Sequence, residues 1–111
     1  MTEASEAIFQ DQVLQIATMN GWLWFHATPK QLKNGIWRTD GKGFPDLVLA
    51  HYDRGVIFAE LKTSDGRITP AQKIWAVALG RHVEYHVWRP ADLQKIANRL
   101  GPKPRATHHP R

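Results

Sequence analysis

The sequence predicts one α/β domain in which helices cover both sides of a central sheet. Two runs carry this prediction, DLVLA at residues 46–50 and VIFAELK at residues 56–62. Both are apolar on each face, as expected of strands that helices cover on both sides. Segments with helical periodicity precede and follow them. A length of 111 residues suits a single hydrophobic core.

The first half of the chain leads to these strands through a helix and several short elements. Residues 4–19 predict a helix, because their apolar side chains recur at helical spacing and Asn20-Gly21 is a usual stop. Four segments follow this helix: a strand at 22–27, a polar loop at 28–35, a candidate short strand at 36–39 and a glycine-rich turn at 39–43.

The second half alternates loops, strands and helices. The stretch HYDRG at 51–55 reads as a hairpin loop between the central strands. Thr69-Pro70 predicts a helix start, with Thr69 as N-cap and the helix ending at Gly80. Three segments complete the chain: a strand at 82–88, an amphipathic helix at 90–100 and a basic, proline-rich tail at 101–111. We expect residues 1–100 to form the domain and the tail to be disordered.

Composition excludes several functional classes. The chain contains no cysteine, which excludes a disulfide framework, thiolate chemistry and Cys-ligated zinc. No apolar run approaches the roughly 20 residues of a membrane span, and the N-terminus lacks the pattern of a secretory signal. We therefore expect no membrane association and a cytoplasmic location, in a bacterial host cell if the protein is phage-encoded.

The charge balance gives a weak indication of a polyanionic partner. The net charge is +5, and the sequence pI is about 9.9. Three of the 15 basic residues lie in the tail, so residues 1–100 carry 12 basic against 10 acidic groups, a net of +2. A solvated surface of mixed charge explains such a balance equally well.

Three charged side chains are predicted to meet within the apolar sheet. If the hairpin is centred on Asp53, residue 46 lies opposite residue 60, with Cβ atoms about 4.5–5.5 Å apart. Because side chains alternate along a strand, Glu60 and Lys62 then point to the same face. Asp46, Glu60 and Lys62 form one cluster in this register, and a shift by one residue would separate them.

Two neighbouring carboxylates repel each other unless a proton or a cation lies between them. Mg²⁺ fits, because it takes oxygen ligands and commonly uses one or two carboxylates with waters and substrate phosphate oxygens. The Leu61 carbonyl offers one more oxygen. Lys62 would then face the nucleophile or the developing charge on a phosphate, as in phosphodiester hydrolysis. The alternative is an ordinary ion pair at a strand end.

The motifs around this cluster resemble a nuclease family. They are G-x-P-D-L at 43–47, E-L-K at 60–62 and the stretch formed by Gly66, Arg67, Thr69 and Gln72. Trp75 follows one helical turn later. In order and spacing they resemble the virus-type replication-repair nuclease (VRR-NUC) family of the PD-(D/E)xK superfamily, over residues 6 to about 88.

The resemblance implies a restriction-endonuclease-like PD-(D/E)xK core, with a mixed central sheet flanked by helices. It also implies a requirement for Mg²⁺, for which Mn²⁺ substitutes, and hydrolysis of DNA phosphodiester bonds without an organic cofactor. Stand-alone phage and bacterial members resemble Holliday junction resolvases and act as homodimers, so four-way junctions are the expected substrate. Two alternatives remain: a nuclease acting on duplex or flap DNA, and a non-catalytic nucleic-acid-binding or dimerisation module.

Two further residues match family positions near the metal. Gln72 is a candidate catalytic residue, but it is also the third helical residue of a capping box that begins at Thr69. Glu6 is a candidate metal ligand from the first helix, but a carboxylate near a helix N-terminus is also favoured by the helix dipole. Both alternatives stay open for each residue.

Basic side chains around the site are candidate contacts to DNA phosphates. They are Lys30, Lys33, Arg38, Lys42, Arg67 and Lys73. A solvated loop explains the first four equally well. Core packing or a dimer interface explains the tryptophans better than stacking on bases does; they are Trp22, Trp24, Trp37 and Trp88.

Overall fold

The computed structural model describes residues 3–27, 30–31, 37–38 and 41–103, with side chains for residues 5–27 and 41–103. This part of the chain forms an α/β domain with a four-stranded mixed sheet, three α-helices and a separate two-stranded ladder. The helices are α1 (Glu3–Met19), α2 (Pro70–Gly80) and α3 (Leu93–Leu100), and a 3-10 turn at Pro90–Asp92 leads into α3. The strands are β1 (Leu23–His26), β2 (Lys30–Gln31), β3 (Trp37–Arg38), β4 (Leu47–His51), β5 (Gly55–Leu61) and β6 (Glu84–Trp88).

The main sheet has the strand order β1-β4-β5-β6. The β1–β4 and β4–β5 pairs are antiparallel, and β5 and β6 are parallel because α2 carries the chain back between them. In the β4–β5 hairpin Leu47 lies opposite Ala59 and Val48 opposite Phe58. This is the predicted register, and it is confirmed.

One face of the sheet carries the hydrophobic core. From α1, Phe9, Val13 and Ala17 recur every four residues and are buried, so a single stripe of the helix packs inward. The other members of this cluster come from the sheet, its approaches and α3: Trp22, Leu47, Leu49, Ile57, Ala59, Trp88, Ile96 and Leu100. Helices α1 and α3 therefore bury the centre of this face.

The C-terminal end of α3 is attached to the sheet by polar contacts. Arg99 donates to both carboxylate oxygens of Glu84 on β6, at 2.8 and 2.9 Å, and to the Arg54 carbonyl at 2.8 Å. These donors lower the pKa of the Glu84 carboxyl, with the bonds from Arg99 as the largest cause. The Trp22 indole donates to the Leu100 carbonyl at 2.9 Å. The last helix is thus fixed in position on the core.

The opposite face is covered less than the sequence predicted. Helix α2 lies on this face, yet it contains no buried residue. Phe44 fills the space between sheet and helix, with its ring 6.0 Å from that of Phe58 and 5.0 Å from that of Trp75. The expectation of full cover by helices on both sides is therefore correct for one face only.

Several boundaries differ from the sequence prediction. The predicted loop at 28–35 is wrong at Lys30–Gln31, which pairs with Trp37–Arg38, whereas the short strand predicted within 36–39 is confirmed. Pairing between these two neighbouring segments supplies the backbone bonds, and the propensity of either segment alone does not report it. The last strand begins at Glu84 rather than at residue 82, because the amides of residues 82 and 83 both donate to the Leu79 carbonyl in the turn after α2.

The predicted disorder of the tail concerns residues that lie mostly outside the described part of the chain, which ends at residue 103. Among the helices of the described residues, none combines the length and the apolar character needed to span a membrane.

Candidate functional site

The two predicted carboxylates meet at the open end of the β4–β5 hairpin. Asp46 directly precedes β4, and Glu60 lies near the end of β5, so the register places the two residues across from each other. The Leu61 amide donates to Asp46 Oδ2 at 2.8 Å, which holds the Asp46 carboxylate over β5. Glu60 is only 2% exposed. The sequence prediction that these carboxylates form a pair is confirmed.

Glu60 is in an environment that disfavours its negative charge. Its Oε2 atom is buried and accepts no hydrogen bond within the described part of the chain. Burial, the opportunity to share a proton with Asp46 and the Asp46 charge together raise the pKa of Glu60 to about 9, and the Lys62 charge acts in the opposite direction. Without a cation, this environment therefore favours the protonated form of Glu60.

Gln72 contacts both the site and the helix start. Its Nε2 donates to Glu60 Oε1 at 3.1 Å, and its Oε1 accepts from the Thr69 amide at 2.9 Å. The Gln72 amide donates in turn to Thr69 Oγ1 at 3.2 Å, which completes the capping box. The two alternatives for Gln72 are thus both correct in geometry, because its side-chain amide has one accepting and one donating end.

A glycine brings the loop before Asp46 against the first turn of α2. Gly43 has φ +86°, and a Cβ atom there would lie 2.4 Å from the Ala71 carbonyl carbon. Any side chain would force the loop and the helix apart. The Trp75 indole holds the same loop by donating to the Lys42 carbonyl at 3.0 Å. Helix α2 thereby fixes Asp46 on one side and Glu60, through Gln72, on the other.

Lys62 follows β5 directly. Its amide donates to the Trp88 carbonyl at 2.9 Å, which continues the β5–β6 pairing by one residue. The Lys62 side chain is half-buried, and its charge is near enough to lower the pKa of Glu60. Lys62 is therefore close to Glu60, and its place in one cluster with Asp46 stays a prediction.

Glu6 of α1 borders the same small cavity as Lys62. The exposed Glu6 side chain lines a cavity of about 10 Å³ together with Leu61 and Lys62. Such a volume corresponds to about one water molecule. Glu6 is thus a neighbour of the site, although its role as a metal ligand stays a prediction.

Three predicted DNA contacts have described side chains. All three are exposed. Lys42 lies in the loop that contacts α2, Arg67 in the loop that precedes α2, and Lys73 in the first turns of α2. Lys33 lies outside the described residues. Lys30 and Arg38 are described only as backbone positions in β2 and β3.

Tyr85 is a neighbour of the site that the sequence analysis missed. It lies beside Phe58 in the parallel β5–β6 pair, and it points to the face that carries Glu60. Burial, followed by the charges of Glu60 and Asp46, raises the pKa of its hydroxyl. The alternating sequence pattern of residues 82–88 indicates that Tyr85 shares a face with every second residue of the strand. Only the parallel register of β6 on β5 shows that this is the face of Glu60.

The oxygen atoms of the site fit a hard cation. The described residues contain no group of three or more His, Cys, Asp or Glu side chains that could hold a metal by themselves. Two carboxylates and the Leu61 carbonyl suit Mg²⁺, which often binds few protein ligands and keeps several waters. The buried Glu60 Oε2 is the observation that fits a bound cation, since no described group donates a hydrogen bond to this oxygen.

No protein-family model, curated protein or solved structure matches this chain.

The raised pKa of Glu60 predicts a pH-dependent loss of stability in the metal-free protein. Between pH 4.5 and about 9 the unfolded chain loses this proton while the folded chain keeps it, so the free energy of unfolding falls as pH rises. Relative to Glu60→Gln, we expect the wild type to lose a few kcal/mol, about 2–4, between pH 5 and pH 9. Denaturant unfolding in EDTA at pH 5, 7 and 9 measures this difference. If the free energies of unfolding of the wild type and of Glu60→Gln changed with pH in the same way, Glu60 would not have a raised pKa in the folded protein.

Proposed function

We propose that this protein is a metal-dependent nuclease that hydrolyses DNA phosphodiester bonds, with a PD-(D/E)xK type of active site. One observation supports the proposal most: a buried carboxyl, Glu60, keeps one oxygen unpaired among the described residues beside a second carboxyl, Asp46, and the Lys62 charge is near enough to lower the pKa of Glu60. Evolution of an apolar sheet for stability alone would favour apolar side chains at these positions. A phosphate-bound divalent cation accounts for the pair.

Each residue of the site has a separable role in this proposal. Asp46 and Glu60 would hold Mg²⁺ or Mn²⁺, and the Leu61 carbonyl would offer a further oxygen. When bound, the ion would supply Lewis acidity toward a phosphate. Gln72 donates to Glu60 Oε1, so Oε2 is the oxygen of this carboxyl that no described group contacts.

The remaining groups act on the phosphate. Lys62 places a positive charge where the nucleophile attacks and where negative charge develops. Its position directly after β5, with Glu60 two residues before it, keeps the ammonium on the side of the carboxylates. The net charge of +5 and the exposed Lys42, Arg67 and Lys73 favour a polyanionic substrate.

For the substrate, we propose branched DNA, with four-way junctions as the first choice. Cutting a junction symmetrically takes two active sites, and a two-fold homodimer supplies them. The proposed dimer and the proposed chemistry are separate statements, because a monomer with this site could still cut duplex or flap DNA.

Cleavage of end-labelled DNA tests the function directly. We expect cuts in a four-way junction with Mg²⁺ or Mn²⁺, no cuts in EDTA, and much slower cutting of a linear duplex of the same sequence. Faster cutting of duplex or flapped DNA than of the junction would keep the chemistry and replace the substrate. Binding without cleavage under every metal condition would refute the nuclease proposal in favour of a non-catalytic binding module.

A further inference from the structure

Within the part of the chain that the structure describes, half of the sheet face that carries α2 has no cover. On β1, Leu23 and Phe25 lie beside Ala50 and Val48 of β4, and Val56 of β5 lies beside Ala50 on the same face. Leu23 is 76% exposed, Phe25 63% and Val56 48%. We call the apolar surface formed by Leu23, Phe25, Val48, Ala50 and Val56 the open half-sheet. No residue in it carries a charge.

Helix α2 has a second apolar face that points away from the sheet. Its half-buried residues recur at 71, 72, 75, 76 and 79, which is the stripe that packs against the domain. Ile74 and Val77 lie on the opposite side, 72% and 59% exposed. From residue 74 to residue 80 the helix carries no charged side chain. A helix segment that is apolar on both sides, as this one is from residue 74 onwards, is ordinarily buried on both sides.

We propose that the open half-sheet binds the outer face of α2 from a second copy of this chain. The two surfaces suit each other, because the open half-sheet lacks a covering helix and the outer face of α2 is apolar and lacks a sheet to pack on. Each copy offers both, so a two-fold axis makes the same contact twice. The two α2 helices then lie side by side between the two sheets, and each sheet gains cover that the described residues of its own chain do not provide.

Charge and size favour a second copy as the occupant. Two chains of net charge +5 repel each other, so they associate best through surfaces with little charge. The open half-sheet carries none, and the outer face of α2 carries none from Ile74 onwards, with Lys73 at its N-terminal margin. The exposed side chains of the two surfaces, each between 48% and 76% exposed, supply much of the apolar area: Leu23, Phe25, Val56, Ile74 and Val77. Half-buried neighbours and a polar rim add to the area that each copy would bury. A stable interface buries roughly 800 Å² per partner.

The oligomeric mass tests this contact without DNA or metal, so its outcome is independent of the proposed nuclease activity. By light scattering at micromolar concentrations we expect a dimer for the wild type and monomers for Phe25→Glu and for Ile74→Lys. Met19→Lys is the matched control, because Met19 is an equally exposed apolar residue, 83% exposed, at the end of α1. It should remain a dimer. Circular dichroism should be the same for all four proteins, since each substituted side chain is exposed.

Mixing the two monomeric variants gives the sharper result. In a mixed pair, one contact is wild type on both sides, and the other places the introduced glutamate of one copy near the introduced lysine of its partner. Equimolar mixing should therefore restore a dimer. A monomeric wild type would overturn the proposal. So would a dimer that survives both substitutions, or monomeric variants that fail to associate on mixing, because each would exclude the reciprocal contact of helix and half-sheet.

Discussion

Replacing Glu60 by glutamine is expected to lower Mg²⁺-dependent junction cleavage by more than about a hundredfold while the fold is kept. Glutamine has nearly the same shape and can still accept the bond from Gln72, but it cannot supply a carboxylate to the metal. In EDTA at pH 8 the variant should melt at the wild-type temperature or higher, since it removes an unfavourable buried carboxyl. Added Mg²⁺ should raise the melting temperature of the wild type alone, because only a state that binds the ion is stabilised by it. Asp46→Asn should behave similarly.

A second carboxylate on the same sheet provides the control. Glu84 is held by Arg99 and contacts His86 at 2.8 Å, so Glu84→Gln removes a structural charge. We expect this variant to lose stability, by about 1–3 kcal/mol, and to keep both cleavage and the Mg²⁺ response. If Glu60→Gln cleaved at the wild-type rate, or gained as much stability from Mg²⁺ as the wild type does, the proposed metal site would be wrong.

The geometry of the carboxylate pair was predictable from the sequence because a short hairpin leaves little freedom of register. A loop centred on Asp53 determines which residues face each other along β4 and β5, and the apolar pattern resists a slip by one residue. The same reasoning placed Asp46 against Glu60 without any tertiary information. The metal, the reaction and the substrate stay predictions.

The role of Gln72 shows what a linear pattern leaves undecided. The spacing Thr69-x-x-Gln72 indicates a capping box, and the resemblance indicates a site residue. The two interpretations compete only if the side chain has one functional end. Because the amide accepts at Oε1 and donates at Nε2, α2 is capped and Glu60 is oriented by the same residue. Deciding this required the distance between the helix start and β5.

The cover of the second sheet face could not be predicted from the pattern of single residues. Apolar strands indicate that both faces are buried in the functional state, but they do not say which chain buries them. Here α1 and α3 cover one face, whereas α2 covers part of the other and leaves Leu23 and Phe25 exposed. The uncharged run from residue 74 to residue 80 was the available signal.

Replacing Lys62 by alanine is expected to separate chemistry from binding. In the proposed mechanism the ammonium acts on the nucleophile or on charge that develops in the transition state, so its loss should lower the cleavage rate at saturating junction by about 10²- to 10³-fold. The carboxylates remain, and the Lys62 amide still donates to the Trp88 carbonyl, so the stabilisation by Mg²⁺ and the fold should be kept. Single-turnover cleavage, junction affinity and melting with and without Mg²⁺ measure the three quantities.

Lys73 is the matched control, since it is an exposed lysine on α2 close in sequence to Gln72. As a phosphate contact it should contribute to affinity only, so Lys73→Ala should weaken junction binding and reduce the salt slope by about 0.9 without changing the rate at saturation. The two lysines are then distinguished by which parameter each substitution changes. If Lys62→Ala weakened binding in the manner of Lys73→Ala and kept the saturated rate, Lys62 would be a phosphate contact, and the assignment of a catalytic charge to it would be wrong.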